Sequence, residues 1–156
     1  MQDTAIKLNT ANGYRRLFED RSHQDEPYVT GNIVRDRINA LRFHRANTMR
    51  EIAMQRLVPG LIELLNAKHI WIFGSVAKGE PSEDSDLDVL VESGDAVKSL
   101  SFKNRMNIAY DVLFASDLPF GCDLIIWTSD ELAEKQHLDS LFFNSVWKNK
   151  MVIHGN

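Results

Sequence analysis

The chain has 156 residues, of which 44% are hydrophobic and 26% charged, and its net charge is −4 at pH 7. This balance is typical of a single folded domain and excludes a disordered chain. No apolar run is long enough to span a bilayer, and the polar first ten residues do not resemble a signal peptide. With one cysteine, Cys122, no internal disulfide can form, so we expect a cytoplasmic protein.

Charge is distributed unevenly along the chain. Residues 1–68 contain 11 Lys and Arg against 8 Asp and Glu, whereas residues 69–156 contain 7 against 14. Nucleic-acid surfaces need clustered basic side chains, so the acidic half argues against one there, although the excess of acids suits a cation site. In the basic half, one helix carries many arginines, which form either a face for RNA or an acidic partner, or an ordinary solvated surface. These are Arg35, Arg37, Arg42, Arg45, Arg50 and Arg56.

The first sixty residues are predicted to be mainly helical. Residues 3–20 have weak amphipathic spacing, a polar loop follows at 20–27, and a longer helix begins at about Thr30. The Pro-Gly pair at 59–60 must end or kink that helix, and a shorter helix then covers Leu61–Ala67. We predict that residues 1–60 form an extension that serves as an accessory helix, a dimer contact or a docking surface. The apolar members of the long helix include Ile33, Ile38, Leu41, Ile52 and Leu57.

Strands and helices alternate in residues 61–156, which we predict to be the main domain. Short apolar, β-branched runs stopped by glycine or polar residues indicate buried strands, and apolar spacing of three to four residues indicates helices. The predicted fold class is α/β (α+β), a single domain with a small mixed sheet flanked by helices. The predicted elements are strands at 69–74, 86–92, 122–128 and 151–154, and helices at 96–115, 129–135 and 141–147.

A turn suited to phosphate groups follows the first of these strands. Gly74 and Ser75 end the strand and lead directly towards a helix, whose first amide groups are free and carry partial positive charge. Glycine lets the backbone approach a bulky ligand, and the Ser75 hydroxyl can donate to a phosphate oxygen. Lys78 supplies a further cationic contact before Gly79 closes the turn. A strand–Gly–Ser turn alone is common, however, and is weak evidence for phosphate binding.

Three acids add a candidate metal site. Asp86 and Asp88 are two residues apart at the start of the second strand, so both project from one face, and like charges so placed favour a cation. Asp123 begins the third strand and lies beside them if the two strands are neighbours. Magnesium prefers a few carboxylates together with substrate phosphate oxygens. A calcium loop is excluded because Val89 stands where that loop needs glycine.

The segment FGSVAKGEPSEDSDLDVLV resembles the signature of the DNA polymerase β-like nucleotidyltransferase superfamily, especially its minimal nucleotidyltransferase branch. Its Gly-Ser pair is followed by nine further residues, by Ser-Asp-Leu-Asp and then by a third acid on a later strand. The likeness covers about residues 61–154. The resemblance implies that Asp86, Asp88 and Asp123 hold magnesium, with Asp123 also helping to activate the nucleophile.

The resemblance also implies roles for residues around the turn. Gly74 and Ser75 grip the triphosphate, and Ser85 either fixes the loop or touches a phosphate. Lys78 departs from the pattern, because the family often has arginine there, which alone offers a forked pair of donors.

The reaction implied by this resemblance is transfer of a nucleoside monophosphate, AMP from ATP, to an acceptor hydroxyl. Minimal nucleotidyltransferases often act as antitoxins paired with a HEPN-domain toxin, so the expected acceptor is a protein partner, and no membrane or nucleic-acid partner is expected. Homo-oligomerisation stays open. The alternative is a non-catalytic interaction module that retains the fold.

Overall fold

The computed structural model describes residues 30–138 and 140–155, so the helix predicted at 3–20 and the loop at 20–27 lie outside the described residues. In that part of the chain, no helix is long and apolar enough to cross a membrane. The helices are α1 (Thr30–Arg56), α2 (Val58–Leu65), α3 (Gly74–Lys78), α4 (Phe102–Ser116), α5 (Ser129–His137) and α6 (Leu141–Asn149). The strands are β1 (His69–Phe73), β2 (Leu87–Ser93), β3 (Cys122–Thr128) and β4 (Met151–His154).

The four strands form one mixed sheet in the order β3-β2-β1-β4. Strand β2 pairs parallel with β3 and antiparallel with β1, and β1 pairs antiparallel with β4. These directions bring the end of β1 to the same edge of the sheet as the starts of β2, β3 and β4. The predicted mixed sheet and α/β (α+β) fold class are confirmed, as is the adjacency of the second and third strands.

Each face of the sheet is covered by its own apolar cluster. Because side chains alternate along a strand, Leu87 and Val89 face the larger cluster, which includes buried residues of α1, α2 and α4. Leu90 and Trp71 face the smaller cluster, which includes buried residues of α5 and α6. The Trp71 and Trp147 rings lie 5.5 Å apart there, so both are aromatic members of this cluster.

The break between α1 and α2 differs from the prediction in its position. Helix α1 ends at Arg56, the chain turns at Leu57, and Pro59 lies in the first turn of α2. Proline is acceptable there because the first amide groups of a helix have no partner within it. Helix α2 therefore starts three residues before the predicted Leu61 and ends at Leu65, where Asn66 adopts the left-handed conformation with φ of 49°.

The buried side of α1 also differs from the predicted apolar side. The chain divides into two compact units, residues 1–36 and residues 37–156, and the structure describes residues 30–36 of the first unit. In the second unit, Ala46, Met49 and Ala53 are buried in the larger cluster, whereas Ile38 and Leu41 are exposed. These three residues, at a spacing of three and four, define the packed side. The predicted division at residue 60 stays a prediction.

Helix α4 is joined to α5 by a partly buried ion pair. The Arg105 side chain is 3% exposed, and its guanidinium donates to both Glu131 carboxylate oxygens at 2.6 and 2.8 Å. Glu131 also accepts from the Thr128 backbone amide at 2.8 Å in a capping box at the start of α5. One carboxylate thus caps α5 and neutralises a buried cation.

Replacing Glu131 with alanine should lower the free energy of unfolding by about 2 kcal/mol, because Arg105 would be left buried without its partner. The loss should be smaller than the roughly 3–5 kcal/mol of a fully buried pair, since the Glu131 side chain is 37% exposed. Urea denaturation measures it, with Glu134→Ala on the exposed side of α5 as the matched control. Equal effects of the two substitutions would contradict this assignment.

Candidate active site

The Gly-Ser turn follows β1 without an intervening loop. Gly74 has a φ of 68°, a conformation that favours glycine, and the five-residue helix α3 begins there. Gly79 ends α3 in the left-handed conformation and donates to the Val76 carbonyl at 3.2 Å. Ser75 is half-buried and Lys78 is exposed. The predicted compact turn is present, and Lys78 lies at its far end.

The carboxylate of Asp88 lies directly against this turn. Asp88 is the antiparallel partner of Phe73, the residue before Gly74. A Cβ atom built on Gly74 would collide with the Asp88 carboxylate. Glycine is thus required at 74 both for the backbone conformation and for the space that the acid fills.

The other two acids reach the same edge of the sheet. Asp123 is the parallel partner of Asp88 on β3. Asp86 immediately precedes β2, and its carboxylate lies against the backbone of Gly121, which precedes β3. Leu87, which lies between Asp86 and Asp88, is fully buried in the larger cluster on the face of the sheet opposite to Asp88. The structure therefore groups all three predicted acids beside the Gly-Ser turn.

The acids interact electrostatically. Burial raises the pKa of Asp88, and the nearby charges of Asp123 and Asp86 raise it further. In the described part of the chain, however, no set of three His, Cys, Asp or Glu side chains is already arranged as metal ligands. The carboxylates thus share a region without converging on one point. Their chemistry fits a hard divalent cation, which would offset this repulsion.

Ser85 is engaged within the loop that leads to β2. Its hydroxyl oxygen accepts from the Ser82 backbone amide at 2.8 Å and lies 3.0 Å from the Ser82 hydroxyl. The Ser85 amide donates in turn to the Ser82 carbonyl at 3.3 Å. Of the two roles expected for Ser85, this geometry favours fixing the loop. A phosphate contact stays a prediction.

Cys122 adjoins Asp123 and is half-buried against the larger apolar cluster. Burial, followed by the charges of Asp123, Asp88 and Asp86, raises the pKa of the Cys122 thiol to about 12. A thiol that stays protonated at neutral pH is a poor nucleophile. Cys122 is therefore a packing residue of this cluster and not a candidate nucleophile.

Contacts from α1 to this region were not anticipated from the sequence. Arg50 donates to the Val76 carbonyl at 2.7 Å, and Arg45 donates to the Glu83 carbonyl. The contact between the Gly121 backbone and the Asp86 carboxylate was also not anticipated from the sequence. The arginines were visible as a group, but nothing in their spacing distinguishes those that reach the loops from those in solvent. The glycine before β3 was the available signal for the Asp86 contact.

The comparison with protein families identifies the fold and the class. A profile of the nucleotidyltransferase domain matches residues 54–153, which is more than half of the chain. The chain belongs to the nucleotidyltransferase domain family. The resemblance and the enzyme class expected from the sequence are confirmed.

One named relative and two solved structures are similar to this nucleotidyltransferase. It is 34% identical over 83 residues to the Haemophilus influenzae protein named "Probable protein adenylyltransferase MntA", a match covering 52% of this chain and 63% of that protein. A Sulfolobus solfataricus crystal structure described as a nucleotidyltransferase has a TM-score of 0.51 at 20% identity, covering 76% of this chain and 88% of that one, and shares the fold. A crystal structure described as a toxin-antitoxin with AMP-PNP has a TM-score of 0.47 at 21% identity, and the match covers 66% of this chain and 73% of that one.

Substituting alanine at Gly74 should destabilise the nucleotidyltransferase by about 1–2 kcal/mol, because an L-residue is strained at this φ. The new Cβ should also push the Asp88 carboxylate out of place. Urea denaturation measures the loss. Gly31→Ala is the control, since Gly31 is helical with open space around it and should gain about 0.5–1 kcal/mol. A neutral Gly74→Ala would contradict the packing described.

The raised pKa of Asp88 implies a pH-dependent stability without metal. Stability is full below the unfolded-state pKa, where the carboxyl is protonated in both states, and falls as pH rises through the higher folded-state pKa. In EDTA, Asp88→Asn should therefore melt at a higher temperature than the parent at neutral pH, and this gain should vanish in acid. Thermal melts across pH test it, with exposed Asp84→Asn as control. A lower melting temperature for Asp88→Asn at neutral pH would refute it.

Proposed function

We propose that the chain transfers AMP from ATP to a hydroxyl group of an acceptor protein, using magnesium. The observation that carries this proposal is the position of Asp88 between the Gly-Ser turn and Asp123. This arrangement sets a candidate phosphate grip beside candidate metal ligands. Nucleotidyltransferases of this family generally use a nucleoside triphosphate and a divalent metal.

Asp86, Asp88 and Asp123 are the proposed magnesium ligands. Carboxylate oxygens are suited to magnesium, and Asp88 and Asp123 are register partners at one edge of the sheet, with Asp86 immediately before β2. When bound, magnesium supplies charge neutralisation for the phosphate oxygens. The chain's own contribution would be to hold these charges close together: the register of β2 and β3 sets Asp88 beside Asp123, and Asp86 lies against Gly121.

The triphosphate is proposed to bind at the turn between β1 and α3. Gly74 lets the backbone approach the phosphates, and the half-buried Ser75 offers its amide and hydroxyl. Lys78 is exposed at the end of α3 and supplies a mobile positive charge. Because Asp88 contacts Gly74 itself, phosphates held by the turn would lie beside the acids.

The reaction breaks one bond to phosphorus and forms another. The acceptor hydroxyl oxygen attacks the α-phosphorus of ATP, and the bond to the oxygen bridging the α- and β-phosphates breaks, so pyrophosphate leaves with that electron pair. The hydroxyl proton passes to a nearby carboxylate, for which the exposed Asp123 is the candidate. Most of the rate enhancement would come from positioning and charge stabilisation.

The acceptor is proposed to be a protein in a toxin–antitoxin pair. The similar Haemophilus influenzae protein is named as a protein adenylyltransferase, which supports a protein hydroxyl as the acceptor. The resemblance to minimal nucleotidyltransferases favours a tyrosine or serine of a HEPN-domain partner. A small helical protein encoded beside this chain is the first acceptor to test.

Label from ATP carrying ³²P at the α-phosphate should pass to a protein band, and label at the γ-phosphate should not, because pyrophosphate leaves. The reaction contains the chain, magnesium and the neighbouring helical protein, and the product is read on a denaturing gel. Asp86→Asn, Asp88→Asn and Asp123→Asn should each lower transfer by at least about 100-fold, since each removes a ligand charge. EDTA should abolish transfer.

The matched control is Asp84→Asn, an exposed acid of the same loop that lies outside the proposed ligand set. It should retain transfer close to that of the parent chain. Absence of label with all four nucleotides, together with a partner that still co-purifies with Asp86→Asn/Asp88→Asn, would replace the proposed enzyme with a non-catalytic binding module.

A further inference from the structure

Three arginines of α1 donate to backbone carbonyl groups of other elements. Arg45 donates to Glu83, Arg50 to Val76 and Arg56 to Asp117. The Glu83 carbonyl belongs to the loop before the metal acids, and the Val76 carbonyl belongs to α3, which begins at the Gly-Ser turn. The third belongs to the residue that ends α4, where no predicted site residue lies.

Arg50 is bound to the turn that is proposed to grip phosphate. Its guanidinium donates to the Val76 carbonyl at 2.7 Å and to the Asn47 side chain at 2.9 Å. The Val76 carbonyl also accepts from the Gly79 amide at 3.2 Å, so Arg50 adds a second donor to a carbonyl near the end of α3. A cation near the last turn of a helix is also attracted to the negative end of the helix dipole. Arg50 therefore holds α3 against α1.

Arg45 is bound to the loop that connects α3 with β2. This loop covers residues 79–86 and contains no helix or strand. The guanidinium donates to the Glu83 carbonyl, which lies within the Ser82–Ser85 turn and three residues before Asp86. Phe43 of the same helix would be 3.2 Å from a Cβ at Gly79, so α1 also packs over the start of this loop.

The carbonyl contacts of Arg45 and Arg50 also carry a cost in free energy. The Nε atoms of Arg45 and Arg50 are buried and have no hydrogen-bond partner among the residues that the structure describes. A buried donor left unpaired costs free energy, which offsets much of what the carbonyl contacts contribute. The site, by contrast, needs restraint, because like charges drive Asp86 away from Asp88 and a small displacement lowers catalysis steeply.

We propose that Arg45 and Arg50 are positioning residues. Arg45 holds the loop at residues 79–86, which leads to the metal acids, and Arg50 holds the Gly-Ser turn in the arrangement needed for the reaction. Helix α1 from Phe43 to Arg50 is then part of the catalytic apparatus and not an independent extension. This inference rests on the proposed function, since it assigns the arginines a role in that reaction. Neither side chain needs to touch ATP or the acceptor.

Methionine substitutions test the role, because methionine keeps much of the apolar stem and removes the donors. We expect kcat/KM for α-phosphate transfer to fall about 10–100-fold in Arg45→Met and Arg50→Met. Arg50→Met should act mainly through a higher KM for ATP, and Arg45→Met mainly through a lower kcat and a higher magnesium requirement. Lysine at either position should recover part of the loss, since it can still donate to one carbonyl.

Arg56→Met is the matched control, since it removes the same type of contact from the same helix, and its acceptor at the end of α4 lies outside residues 74–88. It should change kcat/KM less than about twofold, a loss far below that from a misplaced site. Assays are run well below the melting temperatures of all variants. Losses in Arg45→Met and Arg50→Met no larger than that of Arg56→Met would overturn the inference.

Amide hydrogen exchange separates this inference from the proposed function. Exchange at residues 75–87 should accelerate in Arg45→Met and Arg50→Met and stay unchanged in Arg56→Met, whether or not the protein transfers a nucleotide. A parent chain without transfer but with this selective acceleration would refute the proposed function and leave the contacts upheld. A parent chain with transfer and no selective acceleration would refute the inference alone.

Discussion

Repulsion among three carboxylates is the constraint around which this end of the molecule is organised. Asp88 is partly removed from water and lies near the charges of Asp123 and Asp86, and the raised pKa of Asp88 reports that cost. The acids stay together because the parallel pairing of β2 and β3 fixes the backbone beneath them. The free energy that sustains this arrangement comes from the two apolar clusters that cover the faces of the sheet.

Two glycines make room for the acids. Gly74 faces the carboxylate of Asp88, and Gly121 faces that of Asp86. In each case the space of a missing side chain is filled by a carboxylate from a neighbouring element, so the backbone itself forms one wall of the site. Close backbone contact also places the amide groups of the Gly-Ser turn within the region where substrate phosphates are proposed to bind.

Much of this arrangement was predictable from the sequence, and the exceptions have physical causes. The limits of β3 were predicted correctly because its apolar run at 124–127 stands between Gly121 and Ser129, which interrupt a strand pattern. The pairing of Asp88 with Asp123 followed once β2 and β3 were neighbours. The buried side of α1 was not predictable, because its alanines are less conspicuous than the exposed Leu41. The carbonyl contacts of Arg45 and Arg50 depend on tertiary placement, which helical periodicity does not encode.

The contacts of α1 with the site have a consequence for how the protein can diversify. Arg45 and Arg50 bind the carbonyl oxygens of Glu83 and Val76, and every amino acid supplies a carbonyl oxygen. The side chains at these loop positions are therefore free to change while the loop keeps its place. A site braced in this way can acquire a new surface around a constant chemical centre, so recognition of a different acceptor can evolve without rebuilding the acids.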